Sequence, residues 1–229
     1  MRVAVFGGSG MVGGGVLREC LEDPRVSGVL SVGRRPSGLD DTKLDELVVE
    51  DLFDLSPHRG RFEGLDACLY CLGVSSAGLS ESAYRRITYD LTCAVLEVVS
   101  AASPGLTVCF VSGQGSDSTG TSRTMWARVK GEAENEVLAR YGPAYVFRPG
   151  LIQPLKGVRS RTPLYQVPLV LLGPVLPLLR RLFPKYVTST VLVARAMLNA
   201  AADGYGKSVL ETDDINRLGG ATGSATSGA

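Results

Sequence analysis

The chain has 229 residues, 45% of them hydrophobic, enough for one sizeable core in a single domain. Its 24 basic and 23 acidic residues nearly cancel, which argues against a nucleic-acid surface. Five cysteines, at 20, 68, 71, 93 and 109, all lie in apolar segments. They fit reduced, buried thiols rather than a disulfide framework.

The chain passes directly into Val3-Ala4-Val5-Phe6 with no signal-like segment, so a cytoplasmic location is expected. This apolar, partly β-branched run reads as a strand buried on both faces of a parallel sheet. It leads into Gly7-Gly8-Ser9-Gly10-Met11-Val12-Gly13, and a helix-like segment follows to Cys20. A glycine turn between strand and helix suits the pyrophosphate of a dinucleotide. One glycine makes the turn, one lets backbone N–H groups approach, and one packs helix on strand. The helix then points its positive dipole end at the phosphates. Gly8, Gly10 and Gly13 give G-x-G-x-x-G, while Gly7, Gly10 and Gly13 give G-x-x-G-x-x-G.

Residues 28–33 form a second predicted strand, ending in Gly33-Arg34-Arg35. Enzymes that use NAD carry an acidic residue here to hold the ribose hydroxyls. Two guanidiniums cannot accept from a hydroxyl, but they suit a 2′-phosphate, so NADP is expected over NAD. Residues 46–50 give a third strand, with Asp51 and Leu52 placed beside the adenine. Residues 66–72 give a fourth, ending in Cys71-Leu72-Gly73, where a glycine again admits the cofactor. Cys68 and Cys71 form a C-x-x-C, but on a strand that spacing turns the sulfurs to opposite faces. It reads as packing. The lone His58 is expected in an exposed loop, and no metal site is expected.

A helix is predicted over residues 84–99, stopped by Pro104-Gly105, and residues 106–112 form a fifth strand. Alternation of strands and helices implies right-handed crossovers and a Rossmann-type, doubly wound parallel sheet with helices on both faces. Ser112 sits at a strand's carboxyl end, where ligands bind in such sheets. Lys130 falls four residues after Trp126 on the next helix, so the two share a face. A sixth strand, 144–147, leads into Arg148-Pro149-Gly150-Leu151-Ile152.

Taken together, Gly7/Gly10/Gly13, Gly33-Arg34-Arg35, Cys71-Leu72-Gly73, Val111-Ser112, Val129-Lys130-Gly131-Glu132 and Phe147-Arg148-Pro149-Gly150 resemble an atypical short-chain dehydrogenase/reductase. The resemblance is to the NAD(P)-dependent epimerase/dehydratase type and covers roughly residues 1–216. It implies that Lys130 holds the nicotinamide ribose and that Ser112 orients the substrate carbonyl. It also implies that the Pro149-Gly150 backbone meets the carboxamide, with Arg148 and Ile152 counted among the cofactor-binding residues.

The chain departs from that family at one position. The family motif is Tyr-x-x-x-Lys, and here Trp126 stands where the tyrosine belongs. An indole N–H donates a hydrogen bond but does not release its proton at usable pH. The acid must then be Ser112, Ser116, a ribose–water relay or a substrate group, or the step does not occur. Three functions remain open: an oxidoreductase acting on a small apolar carbonyl or hydroxyl compound, a catalytically silent NADPH-binding regulator, and a peripheral membrane protein that keeps the fold as a scaffold.

Residues 153–186 are expected to form a substrate segment within the one domain, spanning 1–218. The apolar stretch 163–179 is broken by Pro168, Pro174 and Pro177 and followed by a basic cluster, too short and interrupted for a transmembrane helix. It reads as a lid over an apolar ligand, with a membrane-surface contact through 163–185 or a homodimer contact as alternatives. Residues 188–202 form a last amphipathic helix, 208–211 an edge strand, and 219–229 a flexible tail.

Overall fold

The computed structural model describes residues 1–155, 183 and 185–221. Its strands are β1 (Arg2–Phe6), β2 (Gly28–Gly33), β3 (Leu44–Val48), β4 (Ala67–Tyr70), β5 (Thr107–Val111), β6 (Ala144–Arg148), β7 (Leu151–Gln153), β8 (Val187–Ser189) and β9 (Val209–Glu211). Seven of them form one sheet in the order β3-β2-β1-β4-β5-β6-β9, every pair parallel. The order turns outward from β1, so the chain reverses direction across the sheet between β1 and β4. That switch point is where open α/β sheets receive their ligands.

Side-chain alternation along these strands builds two cores. On one face Ala4, Phe6, Cys68, Tyr70 and Phe110 pack with Val95 and Val99 of α3 (Leu91–Ala102) and with Val137 of α4 (Met125–Arg140). On the other face Val3, Val5, Leu69 and Cys109 pack with Val16 and Leu17 of α1 (Met11–Glu22), Met197 of α5 (Thr190–Asp203) and Ile215 of α6 (Thr212–Gly220). Cys68 belongs to the first core while Cys71 packs against the second, as their odd spacing requires. All five cysteines are free thiols, with Cys71 and Cys93 only partly buried. Burial pushes the Cys68 thiol up to about 12.

The doubly wound architecture agrees with the sequence pattern, and several boundaries move. β3 starts at Leu44 rather than 46, because Leu44 pairs with Val29 and the alternation then buries Leu47. The helix predicted over 84–99 begins earlier, as α2 (Glu81–Arg85), where the Ser80 hydroxyl accepts from the Ala83 N–H. It then passes through a π turn, Arg86–Asp90, into α3. His58 is partly buried on a 3-10 turn, Ser56–Phe62, not in an exposed loop. The short β7–β8 pair was not foreseen, since three-residue strands lack a readable period. α5 starts at Thr190 because Thr188 and Ser189 are taken by β8, Ser189 also capping the helix.

α6 is a correction to the tail expected from 219. Gly219 is buried against the backbone of α5 at Leu192, so close that no side chain fits, and the helix runs to Gly220. Nearly all of the apolar segment 163–185, with its basic cluster, lies outside the described residues. Among those described, no helix is long and apolar enough to cross a membrane.

Candidate functional site

The glycine turn between β1 and α1 is built by close backbone packing. Gly7 has φ +88°, a conformation that strains any residue with a Cβ. A Cβ on Gly7 would also meet the Cys71 carbonyl oxygen at 3.1 Å and Leu72 at 3.3 Å. The turn therefore lies against the end of β4. A Cβ on Gly13 would lie 2.6 Å from the Gly7 carbonyl carbon and nearer still to its oxygen. The Gly10 N–H donates to that same oxygen at 2.8 Å.

Gly10 is the N-cap of α1 and offers no side-chain cap. The N–H groups of Met11, Val12 and Gly13 thus face outward without intrahelical partners, as in the first turn of any helix. Gly8 packs against Ser31 and Leu17, leaving Ser9 at the rim. The result is a concave backbone surface of N–H donors at a positive helix end, suited to a pyrophosphate. Open space above Gly73, where a Cβ would touch nothing within 4 Å, continues the surface past Cys71 and Leu72.

At the end of β2, Arg34 and Arg35 are exposed, and among the described residues neither makes an ion pair or hydrogen bond. Their cationic ends are open to an anion. At the end of β3 the Asp51 carboxylate accepts the Phe53 N–H at 2.8 Å, which fixes the turn, while Leu52 is buried in the first core.

On the other side of β1, the chemistry-bearing residues gather at the carboxyl end of β5. The Ser112 and Ser116 hydroxyls lie 3.0 Å apart, and Ser116 donates to the Gly113 carbonyl at 2.8 Å. Trp126 closes over this loop: a Cβ on Gly115 would meet Trp126 Cη2 at 3.4 Å. One helical turn on, Lys130 Nζ stands 6.0 Å from the centroid of the Phe110 ring on β5. Burial pushes its ammonium down to about 8, with Glu134 pulling the other way. Among the described residues Lys130 has no hydrogen-bond or ion-pair partner, so its donors are available to a ligand.

Gly131 explains why this helix sits so near the loop. A Cβ there would lie 2.7 Å from the Ser118 nitrogen and closer still to the Asp117 carbonyl. The Asp117 N–H donates to the Ala127 carbonyl at 2.9 Å. The Asp117 carboxylate takes the Thr119 hydroxyl and the backbone N–H groups of Thr119 and Ser122, which hold it down to about 2.

After β6, Pro149 accepts the Gln114 N–H at 3.0 Å, and the Gly150 N–H donates to the Thr212 hydroxyl at 2.9 Å. Ile152 sits partly buried on β7. The Arg148 side chain, grouped by sequence with the cofactor residues, is engaged instead with Glu134, Ser118 and Glu211. Sequence reasoning missed Glu134: a glutamate one turn after a lysine on a helix reads as a solvated charge until β6 is seen beside it.

Ser112, Trp126 and Lys130 are therefore brought together by β5 and α4. The glycine turn, Arg34, Arg35 and residues 71–73 line the adjoining stretch of the sheet's carboxyl edge. These residues fit a dinucleotide laid across the switch point, with the glycine cradle that a Cβ would fill as the specific test.

No protein-family profile matches the chain. It is 28% identical over 155 residues to Protein HTATIP2 of Rattus norvegicus. The match takes in 66% of this chain and 62% of that relative, so this chain aligns with less than two thirds of its length. In fold it is similar to an oxidoreductase of the short-chain dehydrogenase/reductase family from Burkholderia thailandensis (TM-score 0.68, 17% identity, covering 94% of this chain and 92% of that one). It is also similar to the dTDP-glucose 4,6-dehydratase DesIV of Streptomyces venezuelae with NAD and TYD bound (TM-score 0.65, 17% identity, 96% and 80%). A third neighbour is the enzyme WbmF of Bordetella bronchiseptica in complex with NAD+ (TM-score 0.66, 15% identity, 94% and 76%). Sheet order, glycine turn and the Lys130 helix, with these likenesses, show a fold similar to that of the short-chain dehydrogenase/reductase from Burkholderia thailandensis and of the dehydratase DesIV.

Proposed function

We propose that this protein binds NADP(H) and interconverts a small, apolar carbonyl compound and its alcohol. The observation that carries the reading is Lys130, a cation to which no carboxylate is bonded among the described residues, set against Phe110 beside the Ser112–Ser116 hydroxyls. Arg34 and Arg35, exposed at the end of β2 and uncommitted among the described residues, favour a cofactor with a 2′-phosphate. The glycine turn and first turn of α1 would hold the pyrophosphate, Lys130 the nicotinamide ribose, and the Pro149-Gly150 backbone the carboxamide. When bound, the nicotinamide supplies or accepts the hydride.

The chain's own part is to orient the substrate oxygen and to handle the proton. Each hydroxyl has one proton to donate. Ser116 gives its proton to the Gly113 carbonyl, so Ser112 rests as donor to Ser116. Polarising a carbonyl requires Ser112 to turn its proton outward, and Ser116 to re-aim from Gly113 to Ser112. Trp126 supplies a wall and an indole donor in place of an acid. An apolar substrate is supported by four exposed side chains: Val74 after β4, Leu151 on β7, and Phe183 and Tyr186 just before β8.

Trp126 itself favours a second reading, a silent NADPH-binding regulator. The two part in one assay: NADPH consumption with a panel of small apolar aldehydes and ketones. Turnover that falls at least about a hundredfold in Ser112→Ala supports the oxidoreductase. Tight NADPH binding without turnover on any of them would leave the regulator.

A further inference from the structure

Glu134 is the most deeply buried acid of the site region, with no exposed surface, and a buried carboxylate needs a compensating charge. Arg148 provides it. Its Nε donates to both Glu134 oxygens at 3.1 Å and its Nη2 to Oε2 at 2.5 Å. The Ser118 hydroxyl, 3.2 Å from the same Oε2, receives Arg148 Nη2 at 2.6 Å. Glu211 on β9 adds a more exposed partner at 3.2 Å.

The pair thus joins three segments that come from distant parts of the sequence. Glu134 lies one turn beyond Lys130 on α4. Arg148 directly precedes Pro149 and Gly150. Ser118 lies in the same loop as Ser112 and Ser116, between β5 and α4. Each has a second tie to its neighbours: Asn135 Nδ2 donates to the Ser118 carbonyl at 2.9 Å, and Gln114 N–H to Pro149.

We infer that Glu134 and Arg148 are positioning residues, a buried clamp that sets the Lys130 ammonium against the Ser112 loop and the Pro149-Gly150 backbone. Neither touches the reacting atoms, and the inference rests on the cofactor reading given above. Glu134 also acts on Lys130 through space, its charge favouring the protonated amine. The other charges that neighbouring elements bring to α4 are engaged elsewhere. Glu81 and Arg85 on α2 pair with Arg128 and Glu132, Arg148 is bound to Glu134, and Tyr89 and Cys93 face Glu136.

The test is the proton affinity of Lys130 in the cofactor-free protein, read as the pH midpoint of its acetylation by competitive labelling and peptide mass spectrometry. In Glu134→Gln the midpoint should fall by about one pH unit, and NADPH affinity should fall about tenfold alongside. Glu134→Gln leaves Arg148 buried and unpaired. If that variant does not fold, Glu134→Gln/Arg148→Met removes both charges; it should lower NADPH affinity likewise and the midpoint by less than Glu134→Gln alone, because a positive charge leaves with the negative one. Glu211→Gln, which removes the more exposed partner, should show neither.

A folded variant with the wild-type Lys130 midpoint overturns the clamp, since a purely structural pair would lower stability and leave that midpoint alone. So does a lowered midpoint with NADPH affinity unchanged. If the wild-type protein binds no NADPH, the cofactor reading fails, and the midpoint alone still decides whether Glu134 sets Lys130.

Discussion

Two glycines in the run that follows β1 have different duties, and alanine at each should separate them. At Gly13 an added Cβ would fall 2.6 Å from the Gly7 carbonyl carbon, against a floor of 3.0 Å for real contacts, and closer to its oxygen. Both obstacles are backbone, so the loop or α1 must move by several tenths of an ångström. The Gly7 carbonyl that would be displaced also receives the Gly10 N–H, and with it goes the alignment of the first-turn donors. Overpacking of this kind costs about 1–3 kcal/mol, and misplaced anion donors cost affinity on top of that. Gly13→Ala should weaken NADPH binding at least about tenfold, measured by titration with Trp126 fluorescence.

At Gly15 the added Cβ would meet Thr190 Cβ at 2.6 Å, a contact between α1 and α5 away from the turn. Gly15→Ala should lower the melting temperature by roughly 2–12 °C for about 1–3 kcal/mol with NADPH affinity within about twofold of wild type. Wild-type NADPH affinity in Gly13→Ala, or equal losses of affinity in both variants, would refute the assignment of Gly13 to the cofactor cradle.

Other perturbations probe the rest of the site. Arg34→Ala/Arg35→Ala should cost NADPH about 2 kcal/mol or more, roughly thirtyfold in affinity, and leave NADH nearly unchanged; equal loss for both cofactors would remove the 2′-phosphate assignment. Trp126→Tyr restores the proton donor beside Lys130 and should raise carbonyl reduction by about a hundredfold, whereas an unchanged rate would mean that the native acid lies elsewhere. Lys130 is charged below about 8 and neutral above it, so NADPH affinity should decline as pH rises through that value while the arginines stay charged. A flat affinity profile across that range, measured by the same fluorescence titration, would detach Lys130 from the cofactor.

What the sequence made legible was set by local physics. The run at Val3–Phe6, the glycines and the β2 end at Arg34-Arg35 are contiguous, and each carries its own signal of burial, turn or charge. The Trp126–Lys130 pair was readable because helical spacing alone fixes their shared face. The Glu134–Arg148 clamp was not readable, because its partners are 14 residues apart and meet only when α4 packs beside β6. The β7–β8 pair and α6 stayed hidden for related reasons. Leu151–Gln153 is too short for a period, and Thr212–Gly220 ends in two glycines, which read as a tail until Gly219 is seen to be the point where α6 touches α5.

The claim on which the rest depends is that the carboxyl edge of this sheet holds a phosphorylated dinucleotide with its nicotinamide end near Trp126. Titrating the purified protein with NADPH and, separately, with NADH while following the fluorescence of its single tryptophan tests it most directly. The account predicts saturable quenching by NADPH at micromolar levels and much weaker binding of NADH. No change with either cofactor, or stronger binding of NADH, would contradict it.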